Sequence, residues 1–123
     1  MHAESAFQLT EENFEQEALN FPGVILVDVW ATWCPPCIAL TPVIEGLAKK
    51  YADNPNVRIA QLNYDEAEGV AANYSIMSIP TLMVFANGEQ QANEVGLRPP
   101  PFLDKLIQDG LKTLKSPLTP VAA

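Results

Sequence analysis

The only two cysteines in 123 residues stand three apart, in Trp33-Cys34-Pro35-Pro36-Cys37. They directly follow the apolar run Val24-Ile25-Leu26-Val27-Asp28-Val29-Trp30. If the chain is helical from residue 34, the two side chains are i and i+3 neighbours, with Cβ atoms about 5–6 Å apart. A disulfide needs Cβ atoms about 3.8 Å apart and Cα atoms about 4.4–6.8 Å apart, so small adjustments close the bond. A bond that closes so easily and lies exposed also reopens easily, which suits a redox shuttle. Metal use is the other chemistry open to such a pair. A closed zinc site needs more ligands than these thiols and His2 supply, unless two chains share one.

Asp28 is the second residue whose type and place carry chemistry. A carboxylate inside an apolar strand costs several kcal/mol if it is ionised and unpaired, so burial predicts a protonated Asp28 near neutral pH. An aspartate at a strand edge or bulge, facing water, is the alternative. Val27 and Val29 do not decide between them, because they lie on the opposite sheet face.

The elements that must position these residues read as follows. Phe7-Gln8-Leu9 is a short strand. Thr10 caps a helix over Glu11–Leu19, with Phe14 and Ala18 on its buried stripe. Val24–Trp30 is too apolar for a half-exposed strand and is expected at the centre of the sheet. The helix after the cysteines carries Leu40, Val43, Ile44, Leu47 and Tyr51 at helical spacing, with a kink expected at Pro42. Val57–Leu62 is a strand, with a short helix near Glu66–Tyr74. Leu82–Phe85 and Gln90–Val95 form a hairpin around Asn87-Gly88. Phe102–Leu114 is a last amphipathic helix, with Leu103, Leu106, Ile107 and Leu111 inward and Pro101 at its first position. The order is β-α-β-α-β-α-β-β-α. Right-handed crossover makes the second and third strands parallel neighbours, with helices on both faces.

At this length the chain is expected to be one domain, 1–123, with a core over about 7–114 and a flexible tail over 115–123. Its two cysteines are too few for a disulfide scaffold. The net charge of −8 argues against nucleic acid and anionic membranes as partners. The cluster Glu11, Glu12, Glu15 and Glu17 reads as a solvated face. No secretory signal and no membrane span is evident, so a cytoplasmic protein is expected. Asn73-Tyr74-Ser75 and Pro117-Leu118-Thr119-Pro120 match a glycosylation triplet and PxxP, patterns too permissive to act on.

Several stretches in order resemble the thioredoxin family: Val27 through Cys37, Pro42, Leu62-Asn63-Tyr64-Asp65, Ile79-Pro80-Thr81-Leu82, Asn87-Gly88 and Val95-Gly96. The resemblance spans nearly all of residues 7–114. It implies the thioredoxin fold, an α/β architecture with a central mixed five-stranded sheet flanked by four helices. It implies a protein disulfide reductase with no cofactor or metal beyond its own Cys34–Cys37 pair. Disulfide-bearing target proteins and a thioredoxin reductase would be its partners, and the protein would be a monomer. Cys34 is then the nucleophile, at the helix N-terminus where free N–H groups stabilise a thiolate. Cys37, more buried, resolves the mixed disulfide, and Asp28 lies beneath and moves a proton to and from Cys37. The Ile79–Pro80 bond is expected to be cis. Trp33, Pro35, Pro36, Ile79, Pro80, Val95 and Gly96 are expected to border the target-binding groove, with Trp30 packed beneath.

The chain departs from the family at three places. Pro35 stands where glycine is usual and removes an N–H that could face the Cys34 sulfur, so a more reducing couple is expected. Ile38 replaces a common lysine and widens the apolar rim. Gln61 stands where a lysine often neighbours the buried aspartate, which predicts an Asp28 pKa raised more than is usual. Cys-Pro-Pro-Cys also occurs in relatives with dedicated partners, such as tryparedoxin and nucleoredoxin. A specialised donor, an oxidase or isomerase, and a non-redox docking subunit are therefore the competing readings.

Overall fold

The computed structural model describes residues 3–114; the expected tail at 115–123, His2 and the PxxP match lie outside them. Five strands form one sheet in the order β1-β3-β2-β4-β5. They are β1 (Phe7–Leu9), β2 (Val24–Trp30), β3 (Val57–Asn63), β4 (Thr81–Ala86) and β5 (Glu89–Val95). β1, β3 and β2 run parallel, as the crossover rule requires, while β4 and β5 are antiparallel additions. The hairpin between them turns at Asn87 and Gly88, both at positive φ (51° and 84°), the geometry that Asn-Gly suits.

Every residue of β2 is buried. One face of the sheet packs Val24 and Leu26 against α1 (Pro35–Lys50) and α3 (Pro100–Thr113), through Leu40, Ile44, Leu103 and Ile107. The other packs Ile25, Val27 and Val29 against Phe14, Ala18 and α2 (Glu68–Asn73). The two faces carry the four helices expected, with the segment at Glu15–Leu19 as the fourth.

Two elements differ from expectation. The first helix is shorter and wider than read: residues 11–13 are turns, and Glu15–Leu19 is π-helical, closed by the Asn20 N–H on the Glu15 carbonyl. Thr10 does not cap it: its N-cap residue is Phe14, with no side-chain cap. Thr10 instead closes the preceding turn in a reciprocal pair, Asn13 N–H donating to Thr10 Oγ1 at 3.0 Å and Thr10 N–H to Asn13 Oδ1 at 2.7 Å. The acidic cluster beside it is not simply solvated, because Glu11 accepts from the Val70 N–H and Glu17 pairs with Arg58 at 3.0 Å. α3 begins at Pro100 rather than Phe102, since the chain already turns at Pro99. Leu103 and Ile107 are buried as read, while Leu106 and Leu111 are half-buried at the margin. α1 runs without a break through Pro42.

Candidate active site

The pair sits where β2 gives way to α1. Cys34 is the N-cap residue, with extended backbone (φ −108°, ψ 104°), and Pro35 and Pro36 fill the first helical positions. Helix N-termini leave their first N–H groups without partners, and proline at these positions has none to orphan. The first backbone donor left is therefore Cys37 N–H, and it donates to Cys34 Sγ at 3.2 Å. The sulfur takes the place of the hydroxyl or carboxylate that usually caps a helix. This donor comes from a position that Pro35 does not touch, a point the sequence reading missed.

Cys34 and Cys37 are disulfide-bonded, with Cα atoms 5.2 Å apart. The bond is not exposed as expected: the residues are 3% and 2% accessible. Nor does burial distinguish them. Trp30, Ala31 and Ile79 close over the pair, and Cys34 Sγ lies 3.7 Å from the Ile79 carbonyl oxygen. The Ile79–Pro80 bond is cis, and Gly96 N–H donates to the Pro80 carbonyl at 2.8 Å. That bond draws the end of β5 beside the proline. Gly96 has φ +102°, a conformation that L side chains rarely adopt.

The structure thus brings Cys34, Cys37, Ile79, Pro80 and Gly96 together. Trp33, Pro35, Pro36 and Val95 are exposed around them. Trp33 is held by Asp65, whose Oδ2 accepts its indole N–H at 2.7 Å. Asp65 lies in the 3-10 turn Tyr64–Glu66, which Asn63 caps through a hydrogen bond from Asp65 N–H to its side-chain oxygen. The sequence signal was present in Asn63-Tyr64-Asp65, but the link to Trp33 spans 32 residues. Ile38, Met77, Leu97 and Phe102 are further exposed large apolar side chains.

Asp28 is fully buried on the α1 face of the sheet. Its cross-strand partners are Gln61 on β3 and Leu82 on β4. Gln61 Nε2 donates to Asp28 Oδ2 at 2.9 Å; Oδ1 has no hydrogen-bond partner among the described residues. Removal from water pushes the Asp28 pKa up to about 7, against a smaller downward pull from the Gln61 amide. The edge or bulge alternative is excluded. Near neutral pH the acid is poised between its two forms rather than firmly protonated.

Among the described residues, no group of three or more His, Cys, Asp and Glu is placed to hold a metal ion. No helix there is long and apolar enough to cross a membrane.

The sequence model described as Thioredoxin matches residues 5–109. The chain belongs to the thioredoxin family. It is 43% identical to a thioredoxin of Buchnera aphidicola over 104 residues, covering 81% of this chain and 94% of that one. It is 44% identical to a thioredoxin of Rickettsia bellii over 92 residues, covering 75% and 86%. To thioredoxin 1 of a Nostoc strain it is 37% identical over 107 residues, covering 87% and 98%. As a thioredoxin-family protein it is a thiol–disulfide oxidoreductase, and the Cys34–Cys37 pair is its redox-active disulfide.

Proposed function

We propose that this protein reduces disulfides of target proteins through a mixed disulfide on Cys34, and that Asp28 serves the resolving step. The observation that carries the reading is Cys37 N–H on Cys34 Sγ: a backbone donor aimed at one sulfur of the pair favours the thiolate there. In the reduced state, Cys34 thiolate attacks a target sulfur. A Cys34–target disulfide forms, the target disulfide breaks, and the departing target sulfur takes up a proton. Cys37 then gives its proton to the Asp28 carboxylate and attacks Cys34 Sγ. The intramolecular disulfide forms and the second target sulfur leaves as a thiol after protonation. Two electrons pass from the cysteine pair to the target.

The exposed rim of Trp33, Pro35, Pro36 and Val95, with Ile79, Pro80 and Gly96, receives the target backbone alongside residue 79. The redox carrier is the cysteine pair itself, without metal or added cofactor. A thioredoxin reductase returns it to the dithiol, and the protein works as a cytoplasmic monomer of one domain.

Insulin reduction driven by dithiothreitol tests this reading. The wild type is expected to precipitate insulin chains, and Cys34→Ser is expected to give no rate above the dithiothreitol background. An inactive wild type would favour the docking-subunit reading instead.

A further inference from the structure

Gln61 is a buried amide whose two ends are both engaged. Ala3 N–H donates to its Oε1 at 2.8 Å, and Gln8 Nε2 approaches the same oxygen at 3.4 Å. A backbone N–H can only donate, so the oxygen must face Ala3 and the NH2 group must face Asp28. The orientation of the amide is therefore fixed by a strap that lies 58 residues away in sequence. Ala3 is itself buried, against the same core layer as α1 and α3.

We infer that Gln61 is a positioning residue for Asp28: anchored by the Ala3 amide, it holds the carboxyl by Oδ2 and leaves Oδ1 as the oxygen that exchanges the proton. An acid oxygen that carries the proton is the poorer acceptor, so the NH2 of Gln61 keeps Oδ2 as the carbonyl oxygen of the neutral acid. When Cys37 S–H gives up its proton, the O–H bond forms at Oδ1 and the electron pair stays on sulfur. The inference rests on the reading of Asp28 as that proton acceptor.

Among the described residues no other buried charge competes for the carboxyl. Its cross-strand neighbours are Gln61 from β3 and Leu82 from β4, and the same side of the sheet is covered by the apolar layer of Leu40 and Ile44 of α1 with Leu103 and Ile107 of α3. Among the described residues Asp28 is the only buried carboxyl, and no amine or guanidinium is buried. The remaining buried titratable groups are the cysteine pair and Tyr51, which lies beyond the far end of α1.

Two readouts test it on the full chain: the NMR titration of the Asp28 carboxyl, and the pH midpoint of single-turnover reduction of a protein disulfide. Gln61→Met keeps the volume and removes the donor to the carboxylate, so the Asp28 pKa should rise by about one pH unit. The rate depends on the carboxylate form, so its midpoint should move up with the titration. Ala3→Pro removes the anchoring N–H, with a ring methylene in its place, and leaves Gln61 itself unchanged; it should move both readouts the same way by less, and it carries the test alone if Gln61→Met does not fold. Asp28→Asn separates the two claims. A midpoint abolished by Asp28→Asn but unmoved by Gln61→Met and Ala3→Pro overturns the inference alone. A midpoint that survives Asp28→Asn removes the role of Asp28, and the inference with it.

Discussion

The two faces of the one sheet are built to different ends. On the face away from α1, Phe14, Tyr74 and Phe85 meet edge-to-face with ring centroids 5.5–6.0 Å apart. That layer buries no carboxyl or amine among the described residues and maximises burial and ring contact. The α1 face is equally dry, yet it buries an acid and an amide among leucines and isoleucines. Burying an ionisable group there lowers stability in return for a proton site that titrates near neutrality. The comparison teaches that the stability cost of a buried acid is confined to one layer, while the other supplies stability without regard to pH.

The largest expected effect falls on the chemistry. Cys34→Ser should eliminate insulin reduction while leaving the folded spectrum intact, since the buried sulfur is replaced by a smaller atom that can still accept from Cys37 N–H. In the aromatic layer, Phe85→Ala should cost about 3–5 kcal/mol in guanidinium denaturation. The loss should be the same at pH 5 and pH 8, because none of the rings changes charge in that window. A pH-dependent loss there would break the contrast between the faces.

Asp28→Asn should do the reverse and stabilise the protein, in a pH-dependent way. The folded pKa of about 7 lies above the ordinary 3.8. Between those values the folded state holds a proton that the unfolded state has lost, so wild-type stability falls as pH rises through this window. It is undiminished below the lower value and levels off above the upper one. The full difference is on the order of 4 kcal/mol at most. The variant should therefore gain over wild type on going from pH 4 to pH 8. A constant difference would show that the pKa of Asp28 is not raised in the folded protein.

The smallest effect is expected at Pro35. The donor on Cys34 Sγ is the Cys37 amide, and Pro35→Gly leaves it in place. Equilibration with glutathione should move by less than about threefold, well inside the tenfold that corresponds to about 30 mV. A larger movement would mean that the residue-35 amide, once restored, joins the sulfur.

The central strand and the hairpin were legible in the sequence because periodicity and turn chemistry act locally, and the parallel pairing of β2 with β3 because the crossover rule demands it. The catalytic pair was legible because two cysteines at this spacing have few uses, and Asp28 because a carboxylate inside Val24–Trp30 is out of place. What could not be read was set by strand register and by partners distant in sequence. That Gln61 neighbours Asp28 came only with the family resemblance; the β2–β3 register is what makes it so, and the hold of Ala3 on Gln61 comes from a strap with no pattern of its own. The π-helical turn escaped because its apolar spacing matches an α-helix equally well. Burial of the cysteine pair escaped because the residues that cover it, Trp30 and Ile79, reach it from other elements.

The central claim, that Cys34 attacks and Cys37 resolves, is tested most directly by trapping. Cys37→Ser, reduced and mixed with an oxidised protein substrate, should accumulate a covalent Cys34–target disulfide, seen by non-reducing electrophoresis and mass spectrometry. Cys34→Ser should accumulate none. Adducts forming on Cys37 in the Cys34→Ser variant, with none on Cys34 in Cys37→Ser, would contradict the account.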